Sequence, residues 1–248
     1  MNKVNYLEDN DLEFFSKLKN SDLDILVEVL IKDVKDGKSR WTETLTQNEV
    51  YKKYSPDHHK YWKEIAREIQ CFGANTIATV FRGGSGVLYR EILFDVCDKL
   101  KVTFNKDESV EEIEGKLLLK IFIDSIEKME NEDLKKLVED LNIDTNNLTQ
   151  QAVALAVQTT ISTSGFLAYK VAVIVANSLA KALIGRGLSF AANAALTRAL
   201  SIAIPLGWLI LGIWTTISIT SPATRVTHPA VILVASLRAK SKYEEQTT

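Results

Sequence analysis

Between Asp144 and Glu244 the 248-residue chain carries no acidic residue, a run of 99 positions. Other scarcities narrow the problem further. Two cysteines, Cys71 and Cys97, are too few for a disulfide framework or a closed zinc site. Both lie in apolar helical patterns, so buried thiols are expected. There are only 4 prolines, and none falls between Pro56 and Pro205. That long stretch without a backbone breaker favours helices over a turn-rich β protein. Only 3 histidines are present, and none is flanked by a nucleophile motif, so no Ser-His-Asp order is arguable. The net charge of −2 excludes a nucleic-acid binder that works by bulk positive charge. The first residues, Met1 to Asp9, place acids where a secretory signal needs an apolar stretch. The expected site of action is the cytoplasm, with association at the inner face of the membrane.

What is present is divided by charge. Residues 1–144 hold 22 basic and 30 acidic residues. The acid-free run holds eight bases: Lys170, Lys181, Arg186, Arg198, Arg225, Arg238, Lys240 and Lys242. A boundary near 145 is therefore expected. It gives a short helical motif over 1–35, an acidic helical domain over 36–144 and an apolar helical domain over 145–248. Residues 1–144 are expected to fold alone.

The acidic half reads as short amphipathic helices. Asp9-Asn10 can cap a helix through Leu18, and Ser21 with Asp24 resembles a capping box. Ser55-Pro56-Asp57 opens a helix through about Cys71, because proline is tolerated in a first turn, and Gly73 is expected to end it. A short helix follows from Ala74 to about Phe81, then one from Val87 to about Lys101. Ser109-Val110-Glu111-Glu112 is a capping box for a helix to Met129, and Asn131 starts another to near Leu141. In the apolar half, helices are expected at 147–163, 166–184, 188–203, 206–221 and 228–241, some apolar almost all round. No segment alternates with period two, so no sheet is expected and the fold class is all-α. The uncharged stretch 199–224 is long enough to cross about 30 Å of hydrocarbon. Pro205, Gly207, Gly212 and its serines and threonines weigh against that. A lipid span and a tight bundle core both fit.

Few motifs carry chemistry. Arg82-Gly83-Gly84-Ser85-Gly86 has no preceding strand and no following Gly-Lys-Ser/Thr, so it reads as a turn between helices rather than a phosphate loop. Its glycines allow a backbone to approach closely. His58 and His59 point in different directions on a helix, so no metal is expected. The carboxylates of 107–144 sit mostly at helix-surface spacings, and most are expected to be solvated. No cofactor is expected.

The stretches Trp62 to Ala78, Arg82 to Leu100, Pro222 to Ala230 and Leu237-Arg238 resemble the bacterial YaaW family of uncharacterised proteins, which is grouped with the ubiquinol–cytochrome c chaperones. Tyr6 to about Lys35 resembles a short N-terminal domain of unknown function found in the same proteins. The resemblance implies no catalytic residue, cofactor or substrate. The expected function is non-enzymatic: a protein partner on the acidic half, and a membrane or helix partner on the apolar half. A soluble assembly chaperone is the alternative, and an oligomer is compatible with either. Candidate interaction or structural positions are Trp62, Gly73, Asn75, Arg82, Gly83, Gly84, Gly86, Tyr89 and Asp95. Candidate membrane-facing positions are Trp208, Trp214, Lys181, Arg186, Arg198 and Arg225. Bases at helix ends beside uncharged stretches would favour insertion.

Overall fold

The computed structural model describes residues 6–33, 37–40, 43–76, 86–184 and 224–247, without the side chains of 74–76, 182 and 184. The expected helices at 188–203 and 206–221, residues 77–81 of the expected 74–81 helix, and the turn at 82–85 lie outside these residues. The described chain is all-α. Its helices are α1 (Asn20–Ile31), α2 (Glu49–Tyr54), α3 (Trp62–Thr76), α4 (Tyr89–Lys99), α5 (Val110–Ile126), α6 (Asn131–Leu141), α7 (Gln150–Thr163), α8 (Gly165–Ile184) and α9 (Thr224–Thr247). Two 3-10 turns, Glu13–Lys17 and His58–Tyr61, complete it. Among the described residues there is no strand, only an isolated bridge between Lys32 and Ser39.

Local chemistry sets most of the ends. Ser109 starts α5: its hydroxyl accepts from Glu112 N–H at 3.2 Å, and the Glu112 carboxylate accepts from Ser109 N–H at 2.8 Å. Each half of this box satisfies a backbone donor that has no partner inside the helix. Thr149 caps α7 through Ala152 N–H, and Asn48 caps α2 through Val50 N–H. Asn142 closes α6 in the left-handed region, at φ 54°, a conformation asparagine tolerates.

Several ends differ from expectation. The segment after Asp9-Asn10 forms only a 3-10 turn, and α2 stands as a separate short helix before Pro56. Helix α3 begins at Trp62 and does not stop at Gly73 but runs through Thr76. Gly73 serves packing there: a Cβ on it would lie 2.3 Å from Ile92 Cδ1 of α4. Helix α9 already includes Thr224 to Thr227, ahead of the expected start at 228. Pro229 lies in its second turn, where the missing N–H forfeits one backbone bond.

The core is organised around α9. Every residue from Val226 to Leu237 is buried, because α1, α3, α4, α5 and α8 all pack against it. A helix enclosed in this way needs apolar residues on every face, which explains why Val231 to Ala235 shows no polar stripe. Its neighbours run against it. Asp22 of α1 meets Lys240 while Asp33, just beyond α1, meets Arg225. In α5, Glu111 meets Lys242 and Glu114 meets Arg238. Helix α9 packs against helices from both sides of the change of composition at 144/145.

Candidate functional site

A network of buried polar groups lies where α9 meets the acidic half. Arg238 extends from α9 to Glu114 of α5, Nε to Oε2 at 2.6 Å, and its Nη2 donates to the carbonyl of Asp11. Its guanidinium lies 4.2 Å from the centroid of the Phe14 ring. Tyr89, at the start of α4, donates its hydroxyl to the other Glu114 oxygen at 2.7 Å. Burial pushes the Glu114 carboxyl above its ordinary range, against the attraction of Arg238 and the hydrogen bond from Tyr89. One backbone step away, the N–H of Tyr89 donates to the Asp9 carboxylate at 2.7 Å. Gln70 of α3 then takes up the backbone of Leu7 with both ends of its amide, each at 3.1 Å. This network ties the N-terminal segment, α3, α4, α5 and α9 together.

A second buried pair joins Lys240 to Asp22 at 2.5 Å, each side chain 4% exposed. Two more pairs join α9 to acids of residues 1–144: Arg225 with Asp33, half-buried, and Lys242 with Glu111, exposed. Four of the eight bases of the acid-free run are thus matched to acids of residues 1–144. Lys170 donates to the backbone carbonyl of Asp140 at 3.3 Å. Lys181, at the end of α8, is exposed and carries no ion pair among the described residues.

The structure distributes the sequence candidates unevenly. Tyr89 belongs to the buried network. Gly86 lies against α3, where a Cβ would stand 3.0 Å from Gln70 Cβ, so its close approach is made within the chain. Trp62 packs edge-on against Tyr6, centroids 5.9 Å apart. Asp95 pairs with Lys99 at 2.6 Å on the surface of α4. Arg225 pairs inward with Asp33, not outward. Arg82, Gly83, Gly84, Arg186, Arg198, Trp208, Trp214 and the side chain of Asn75 lie outside the described residues.

Asp9, Asp22, Gln70, Glu114, Arg238 and Lys240 were not among the candidate site positions read from the sequence. A signal existed for Glu114: it falls on the α5 face marked by Val110, Ile113, Leu117 and Ile121, all buried. Nothing in this arrangement resembles a nucleophile with its base. His58 bridges α1 and its own turn, Nε2 2.6 Å from Asp24 and Nδ1 against the Tyr61 hydroxyl. Burial raises the Cys71 thiol to about 11 and that of Cys97 to about 12, so neither is an activated nucleophile. Among the described residues, no three His, Cys, Asp or Glu side chains are grouped to hold a metal.

Residues 6–41 match the model of a domain of unknown function, DUF3944. A UPF0174 protein of Helicobacter pylori strain J99 is 48% identical over 96% of this chain and 94% of its own length. The chain belongs to the UPF0174 family. The UPF0174 protein YaaW of Escherichia coli K12 is 31% identical over 95% of this chain and 96% of its own. A second Helicobacter pylori J99 member is 40% identical over 82% of this chain and 99% of its own. No solved structure matches. In this UPF0174 member the domain over residues 6–41 contributes Asp9, the Asp11 carbonyl, Phe14, Asp22 and Asp33, all contacts to the rest of the bundle.

Proposed function

We propose that this UPF0174 protein is a non-enzymatic helical bundle that associates with a membrane through its apolar 199–224 stretch. The observation that carries the reading is the accounting of the bases. Arg225, Arg238 and Lys240 are paired with acids within the bundle and Lys242 with Glu111 at its exposed surface, so they do not explain the missing acids by attraction to a headgroup. Among the described residues exposed Lys181 has no acid partner, and the sequence then places Arg186 and Arg198 ahead of the uncharged stretch, Arg198 directly before it. Bases beside an apolar segment suit an anionic surface, where each Lys or Arg contributes about 1 kcal/mol and an acid would oppose it. Among the described residues no helix is long and apolar enough to cross a membrane, so the reading rests on 199–224 alone.

The test is co-flotation of the purified protein with neutral and with anionic vesicles, at low and at high salt. Steering by Lys181, Arg186 and Arg198 weakens with ionic strength, whereas insertion of the apolar stretch does not. The expected result is capture favoured by anionic lipid and retained in high salt. A monodisperse protein that floats with neither vesicle would overturn the membrane reading.

A further inference from the structure

At the end of the bundle where α8 begins and α9 ends, a cleft of about 240 Å³ opens between α5, α8 and α9. Its walls are small where they need not be. A Cβ added to Gly115 of α5, or to Gly165 of α8, would meet nothing within 4 Å. Neither glycine is in a left-handed conformation, so neither backbone shape nor crowding requires it. Glycine inside a helix is unfavourable relative to alanine; Gly115 and Gly165 are both exposed, and at the mouth of the cleft they leave it open. Ala168 and Ala239 extend the same opening.

The remaining wall is aromatic. Tyr169 and Tyr243 line the cleft and stack on each other, centroids 4.3 Å apart and planes 12° from parallel. The charges that reach it are already matched, Glu114 with Arg238 and Glu111 with Lys242. Arg238 keeps Nη1 free, since its two hydrogen bonds use Nε and Nη2. The cleft therefore offers small walls, a flat aromatic surface, one spare donor and no net charge.

We infer that this cleft binds a small, flat, uncharged aromatic molecule carrying a hydrogen-bond acceptor. Benzene occupies an apolar protein cavity of about 150 Å³, so about 240 Å³ suits a two-ring compound. The site is independent of the membrane reading. Its walls come from α5, the start of α8 and the end of α9, and none of the lining residues belongs to 199–224.

The test is calorimetric titration of the full chain, without lipid, with 1-naphthol and with 1-naphthoate. Saturable one-to-one binding of 1-naphthol is expected, with weaker binding of the anion because the basic groups are already paired. Gly115→Leu and Gly165→Leu each fill the cleft from a different wall. Each is expected to weaken 1-naphthol by about tenfold or more while the helical spectrum holds and the melting temperature does not fall. Where one variant fails to fold, the other decides. Absence of saturable binding, wild-type affinity in a folded variant, or tighter binding of 1-naphthoate would overturn the inference.

Discussion

His228 is enclosed at the start of α9, 2% exposed, and neither ring nitrogen finds a hydrogen-bond partner. Burial, helped by the nearby Lys99 and opposed by Asp95, lowers its pKa to about 4. The sign follows directly. Between 6.5 and about 4 the unfolded chain takes up a proton that the folded chain refuses, so stability falls as pH falls through that window. The full loss is on the order of 3 kcal/mol. His228→Leu is expected to remove this part of the pH dependence, measured by urea unfolding at pH 7 and pH 4.5. An unchanged slope would show that the ring is charged or solvated in the native state. The Lys240–Asp22 pair behaves differently. Lys240→Met alone leaves a buried carboxylate unpaired and is expected to cost about 3–5 kcal/mol. Adding Asp22→Leu should recover most of that in the same assay. These residues show why the candidate site was only partly legible. Tyr89, Gly86 and Arg238 lie in stretches whose pattern was distinctive, whereas Asp22 and Lys240 look like surface charges until a helix distant in sequence supplies the partner.

Helices were legible where local chemistry fixes them. The Ser109 box placed the start of α5, and the absence of period-two alternation anticipated the all-α class. Ser109→Ala is expected to cost about 1 kcal/mol, read as a lower urea midpoint at an unchanged slope. An unaffected midpoint would mean that tertiary packing alone fixes that end. Helix ends set by neighbours were not legible. Gly73 looks like a stop, yet Ile92 of α4 fills the space that its missing side chain leaves, and α3 continues past it. Gly115 looks like an ordinary weak point, and only the geometry shows that nothing occupies its place. At this position Gly115→Ala is expected to raise stability by about 0.5–1 kcal/mol, in contrast to Gly73→Ala, which would strike Ile92 and destabilise. Equal effects from the two substitutions, measured by thermal melts, would contradict this packing difference.

On the scale of the whole molecule, the opposed charges of the two halves are drawn together within one bundle: the acids of residues 11–114 face the bases of α9. Compositional contrast suggested separate domains because a sequence shows the sign of each segment and not what it packs against. A 1–144 fragment keeps its caps but loses the helix on which α1, α3, α4 and α5 converge. It is expected to be partly helical and to melt without cooperativity, and addition of a 224–247 peptide should sharpen the transition. A cooperative melt of the fragment by itself would support a domain boundary at 144/145. The central position of α9 also bears on how the protein is made. The ribosome produces the enclosed helix after all the described helices that enclose it. From α1 to the start of α9 synthesis takes about 10–40 s at about 5–20 residues per second. Throughout that interval the nascent chain has capped helices but no centre for them to close upon, and their apolar faces stay open to whatever else is near the tunnel exit.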